Sequence, residues 1–358
     1  MARASDFIIA GNDEHGLNPP TAGKRTPTLP YINRSFYENE FNRQAKYMFL
    51  AICARCGFRT FDAHPEITDT SISTRVRRVN SIGASALVTF GYNAYGGGLT
   101  FNSVNGYIVF YSPLSRRNPF SKLLSVDISD GLKTTLSTKN LGYSPLTGVG
   151  VLESVNCPSS LVEAGFMTNF DDAKLMLNPT FVEQVAEGSV KGVCDYFEVP
   201  FVSKQVSQPT LRRGSSSSTV KYLQYLLISF GYDLVADGVF GGETERRVRE
   251  FQKDVGITQD GIVGRVTWNY LSKNLTKFPT LRRGSKGGYV NMLQRYLLSF
   301  LYPVGTIDGI YGARTERSVI EFQSENSLTP DGIVGVQTWN KILSSQGRNY
   351  PQQTSLQE

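Results

Sequence analysis

The chain has 358 residues, of which 40% are hydrophobic and 19% charged, the balance of an ordinary water-soluble globular protein long enough for two or three domains. The net charge of +6 suits an anionic polymer surface, yet no basic run is dense enough to argue for nucleic acid, and "RVRR" at 75–78 reads as a solvated helix face. No window approaches the roughly 18 apolar residues of a membrane span, so a spanning protein is excluded as well.

At the N-terminus, "FII" is too short for the apolar core of a secretory signal. The expectation is a protein made in the cytoplasm that reaches any outside target after release by other means. "DFIIAGNDEHG" is a short buried strand ending in a polar loop that carries His15. "NEFNRQAKYMFLAICARCGF" has helical periodicity through Phe41, Ala45, Phe49 and Cys53 and stops at Gly57. Glu38 opens that helix. "RTFDAH" is a second strand, "SISTRVRRVNSIG" a helix, "ALVTFGYN" a third strand and "NGYIVFYS" a fourth. "SSLVEAGFMTN" is a further strand, with Glu163 at its end. Strands alternating with helices predict an α/β domain with a mixed, mainly parallel sheet and flanking helices over 1–198. Cys53, Cys56, Cys157 and Cys194 lack the paired spacing of a metal knuckle and read as reduced core thiols.

A Pro-containing linker at 199–208 leads into a duplication. "PTLRRG" at 209–214 returns at 279–284, "VKYLQYLLISFGY" aligns with "VNMLQRYLLSFLY", and "DGIVGRVTW" aligns with "DGIVGVQTW". The offset is about 70 residues, with one residue inserted before Asp308. Each copy, 209–275 and 276–345, parses into three short helices separated by Asp-Gly turns, with Thr244 placed to cap the second helix. Trp268 and Trp339 are expected in the small cores. The linker is short, so the copies should lie close to the first domain. A polar tail, 346–358, follows and reads as loosely ordered.

The order Leu-Arg-x-Gly, Val-x-x-Leu-Gln, Asp-Gly-x-Phe/Tyr-Gly-x-x-Thr, Phe-Gln and Asp-Gly-Ile-Val-Gly-x-x-Thr-Trp resembles the peptidoglycan-binding domain 1 family, a small all-α three-helix module. The resemblance implies peptidoglycan as partner, held in a shallow groove near the Asp-Gly turns. Two linked modules raise effective concentration at a polymer. In the first domain, "CPSSLVEAGFMTNFDDAKLM" resembles the closing motif of the zinc-dependent N-acetylmuramoyl-L-alanine amidase family 3. "NDEHG" takes the place of that family's Asp-Pro-Gly-His-Gly, "ENEFN" fits its Glu-led helix start, and "RVRRVN" its Arg-x-x-x-Ala-Asn helix.

The resemblance implies a catalytic zinc on two His and one Glu, with a separate Glu moving the proton. It assigns His15 and Glu38 as the first two ligands and Glu163 as the catalytic acid/base. The family's second His belongs to a Ser-Ile-His-x-Asn segment. Here that segment is "TFGYN", which sets Gly91 where the His belongs. His64, the other histidine of the chain, is a substitute ligand if its loop folds over the site. Asp13 is a further oxygen donor, and Glu40 could take the place of Glu38 because "ENE" leaves the register open. Two functions from different classes stay open: an active zinc amidase cutting the muramic acid–L-alanine bond, or a wall-binding protein on an amidase fold without hydrolysis and without zinc. Release by phage lysis, from a spore or in a secreted particle would each bring it to the wall.

Overall fold

The structure is a computed structural model; it describes residues 3–16, 24–204, 208–272 and 278–345. The predicted tail and part of the linker, 205–207, lie outside the described residues. In the first domain, strands β1 (Ile8–Asp13), β2 (Arg59–Asp62), β3 (Ala86–Asn93), β4 (Tyr107–Tyr111), β5 (Asn140–Pro145) and β6 (Ser159–Phe166) form one sheet in the order β2-β1-β3-β6-β4-β5. β2, β1, β3 and β6 run parallel; β4 pairs antiparallel with β6 and parallel with β5. The expected mixed, mainly parallel sheet is therefore present.

The helices of this domain are α1 (Glu38–Arg55), α2 (Ile72–Ser81), α3 (Asn118–Lys133), α4 (Gly150–Ser154), α5 (Phe170–Leu175) and α6 (Pro179–Tyr196). α1 starts where the Tyr37 amide donates to Glu40 Oε2 at 2.9 Å, and it ends at Gly57, whose φ of +90° favours glycine. Its apolar face, Phe41, Phe49 and Ile52 among others, packs with α3 and α6 on Ile9, Val88 and Phe90 of the sheet. The opposite sheet face carries Ala10, Leu87 and Leu161, covered by Val79 of α2 and Val151 and Leu152 of α4. α3 and α6 touch backbone to backbone: a Cβ on Gly131 would overlap the Gly188 carbonyl. All four cysteines are buried and free, as expected.

Each copy of the repeat is three helices: α7 (Ser218–Ser229), α8 (Gly242–Asp254) and α9 (Arg265–Leu271), then α10 (Gly288–Ser299), α11 (Ala313–Glu325) and α12 (Val336–Ser344). A single device recurs at each Asp-Gly turn. Buried Gln224 donates to Asp237 Oδ1 (2.8 Å), the Val239 carbonyl and Thr244 Oγ1, and accepts from the Gly238 amide. Gln252, Gln294 and Gln323 repeat that pattern at Asp260, Asp308 and Asp331. Thr244 is consequently not a cap: Gly241 is the N-cap of α8, and the Thr244 hydroxyl is held by the glutamine. The turn aspartates spend Oδ1 on these internal bonds.

Gln252→Leu should cost about 2 kcal/mol, because it orphans the buried Gly261 amide along with the other partners. Differential scanning calorimetry of the full chain would show an earlier module transition; an unmoved transition would contradict the stapling role. Trp268 and Trp339 are buried, as expected, each donating its indole N–H to a proline carbonyl, Pro209 and Pro279. The first module rests on the α/β domain through Lys221, whose ammonium donates to the Thr60 carbonyl at 2.7 Å. The second reaches it through Tyr296, whose hydroxyl lies 2.7 Å from that of Thr180.

Candidate metal centre at the strand ends

In open α/β sheets the C-terminal strand ends collect the reactive side chains. Gly91 on β3 is directly paired with Glu163 on β6. On the other side, Asp13 of β1 pairs with Phe90, and the Glu14 amide donates to the Phe90 carbonyl at 3.1 Å, so Glu14 falls beside Gly91. Glu14, Gly91 and Glu163 thus form one row across three strands.

His15 follows directly, its backbone carbonyl accepting from Asn39. Glu38, in the first turn of α1, is 2% exposed and closes the cluster from the side. Glu38 Oε1 accepts from Asn42 of the next turn and from the Tyr92 amide, both at 3.0 Å. Glu38 Oε2 faces His15 Nε2 at 3.6 Å, and Glu14 Oε2 lies 3.9 Å from the same nitrogen. The ligand atoms of Glu14, His15 and Glu38 all lie within 4.8 Å of one another.

Glycine at position 91 leaves the room these carboxylates use. A Cβ there would stand 2.9 Å from both Glu14 Oε2 and Glu163 Oε2. Glu163 is 7% exposed, and its Oε2 has no hydrogen-bond partner. Burial, then the Glu14 and Glu38 carboxylates, push the Glu163 carboxyl well up from its usual range. Burial, reinforced by Glu38, pushes Glu14 up to about 8. Burial lowers the His15 pKa against the pull of Glu38, which favours the neutral imidazole that a metal needs. A neutral imidazole, an anchored carboxylate and a second carboxylate, beside an orphaned buried carboxyl oxygen, fit a divalent cation. His15, Glu38 and Glu163, the residues singled out from sequence, are therefore brought together.

Other candidates have different work. His64 is fully buried behind β1: Nδ1 lies 2.8 Å from Asp13 Oδ1 and Nε2 lies 2.9 Å from the Thr68 carbonyl. With both ring nitrogens engaged, it is not the substitute ligand. Asp13 also lies in that network, with Lys46 Nζ at 3.1 Å from its Oδ1. Glu40 caps α1 and pairs with Arg34. Arg75 corrects the expectation of a solvated "RVRR" face: it is 3% exposed and donates to the Asp13 and Glu14 carbonyls and to Asp69. Its guanidinium thereby fixes the turn that presents Glu14 and His15. Arg77 of that run stays exposed.

The N-acetylmuramoyl-L-alanine amidase family model matches residues 16–195, and the peptidoglycan binding domain model matches 216–271 and 286–342. The chain belongs to the N-acetylmuramoyl-L-alanine amidase family and carries two peptidoglycan-binding repeats: a cell-wall amidase-type protein. It is similar to the N-acetylmuramoyl-L-alanine amidase CwlL of Bacillus licheniformis, 34% identical over 161 residues, covering 37% of this chain and 44% of that protein. It is also similar to the N-acetylmuramoyl-L-alanine amidase CwlM of Mycobacterium tuberculosis, 30% identical over 154 residues and covering 37% of each. The chain thus spans less than half the length of these curated relatives. Among solved structures, the N-acetylmuramoyl-L-alanine amidase of Clostridium difficile 630 is 24% identical with a TM-score of 0.43, covering 54% of this chain and 97% of that one. Among the described residues no helix is long and apolar enough to cross a membrane.

Proposed function

We propose that the protein is a metal-dependent amidase that cuts the bond between muramic acid and L-alanine in peptidoglycan while its two repeats hold the polymer. The observation that carries this is the strand-end cluster of Glu14, His15 and Glu38 with the orphaned, buried Glu163 carboxyl beside Glu14 over Gly91. His15 and Glu38 would hold a divalent cation of the zinc class, which when bound supplies Lewis acidity toward the amide carbonyl and toward water.

The chain's own residues do the rest. Asn42 and the Tyr92 amide fix one Glu38 oxygen and so turn the other toward His15. Glu163 accepts a proton from the attacking water and delivers it to the departing amine nitrogen, a role helped by burial and by the Glu14 and Glu38 carboxylates, which raise its affinity for a proton. The amine must leave protonated, because an amide anion is a poor leaving group.

The test is incubation of the full chain, loaded with zinc, with purified peptidoglycan, followed by measurement of freed L-alanine amino termini. Cleavage should be lost on chelation and restored by zinc, while co-sedimentation with the wall persists throughout. Wall binding without any release by the zinc-loaded chain would identify a binder that does not hydrolyse.

A further inference from the structure

We infer that Glu14 is a metal ligand and supplies, from the end of β1, the donor that a side chain at position 91 would otherwise supply from β3. This rests on the metal-dependent site proposed above and names its third donor. Three observations carry it. Glu14 Oε2 lies 3.9 Å from His15 Nε2, on a nitrogen that Glu38 Oε2 also faces at 3.6 Å. The space above Gly91 is occupied jointly by the Glu14 and Glu163 carboxylates, each with an oxygen 2.9 Å from where a Cβ would be. Glu163 Oε2, buried and without a hydrogen-bond partner, points into that same space, so the cluster is more than neighbouring acids on a surface.

Backbone geometry makes the substitution possible. Position 14, the first residue past β1, is held beside position 91 of the adjacent parallel strand by the Glu14 amide to Phe90 carbonyl bond. A side chain one strand over can therefore reach the same point, provided residue 91 has none. Arg75, bonded to the Glu14 carbonyl, keeps the turn in that register. The donor set becomes one imidazole and two carboxylates. Harder oxygen donors narrow the preference for zinc over manganese compared with a site of two imidazoles and one carboxylate.

The test is isothermal titration of the metal-free full chain with zinc and, separately, with manganese, with bound metal counted by elemental analysis. Wild type, Glu14→Gln and the double variant Glu14→Ala/Gly91→His are compared after circular dichroism shows each folded. Glu14→Gln keeps the shape and removes the charge; it should weaken zinc binding at least tenfold. The double variant should bind zinc more tightly than Glu14→Gln, within about threefold of wild type, with zinc preferred over manganese more strongly than in wild type.

Wild-type binding left unchanged by Glu14→Gln would overturn the assignment of Glu14 and leave the metal site standing. Loss in Glu14→Gln without recovery in the double variant would overturn the equivalence of positions 14 and 91. Wild type that takes up neither metal would overturn the metal site itself.

Discussion

Glu163→Gln is expected to lower amide cleavage by about 10²–10⁴-fold, the usual worth of a positioned proton-transfer group. The amide side chain has the same shape but cannot exchange a proton with water or with the leaving nitrogen. Folding should hold, because Glu163 is buried among carboxylates and its Oε2 makes no hydrogen bond that the variant would break. A neutral side chain is also what burial and the neighbouring Glu14 and Glu38 carboxylates favour at that position. Zinc uptake and wall co-sedimentation should therefore remain while freed amino termini disappear. Full cleavage by Glu163→Gln would remove Glu163 from the chemistry.

The second large effect is on stability. Lys46→Met should destabilise the α/β domain by about 3–5 kcal/mol, since it takes the nearest cation from the fully buried Asp13 and from the partly buried Asp62. Lys46 is fully buried, with its ammonium 3.1 Å from Asp13 Oδ1 and 2.9 Å from Asp62 Oδ1. Burial on its own would raise the Asp13 pKa, but the Lys46 charge, the His64 hydrogen bond and the charges of His64 and Arg43 outweigh it and bring the carboxyl below its ordinary range. A carboxyl depressed in the folded state contributes stability above its unfolded pKa, and that contribution is lost as pH falls through the folded value. The gap in melting temperature between wild type and Lys46→Met should be full near pH 7 and narrow below about pH 4, where unfolded Asp begins to protonate. A gap of constant size across that range would show that lost packing of the lysine stem, rather than ion pairing, sets the cost.

Much of the molecule was legible because local pattern and tertiary role agree. The apolar run of β1, the periodicity of α1 closed by Gly57 and the duplicated Asp-Gly turns each correspond to an element found at the expected place. His15, Glu38 and Glu163 could be singled out because each lies at an element end beside a motif. Glu14 could not. It stands one residue from His15 in a degenerate motif, and its closeness to Gly91 depends on the register between β1 and β3. No local pattern encodes that register.

His64 misled for the same reason. A histidine after a strand can serve a site or the core, and only the buried Asp13 on the neighbouring strand shows which. Arg75 looked solvated because its neighbours in "RVRR" are charged, yet the helix turns it alone of the three arginines deeply inward, onto the carbonyls at the end of β1. α3, β5 and α6 carry no motif and went unpredicted, although α3 and α6 form a close backbone contact at Gly131 and Gly188.

The most direct measurement is anomalous diffraction from crystals of the full chain grown with zinc, collected on both sides of the zinc edge. One anomalous peak bonded to His15 Nε2, a Glu38 oxygen and a Glu14 oxygen, with Glu163 beside it and not bonded, is the predicted result. A zinc peak elsewhere, or no peak at the strand-end site in crystals equilibrated with zinc, would contradict a metal centre built around Gly91.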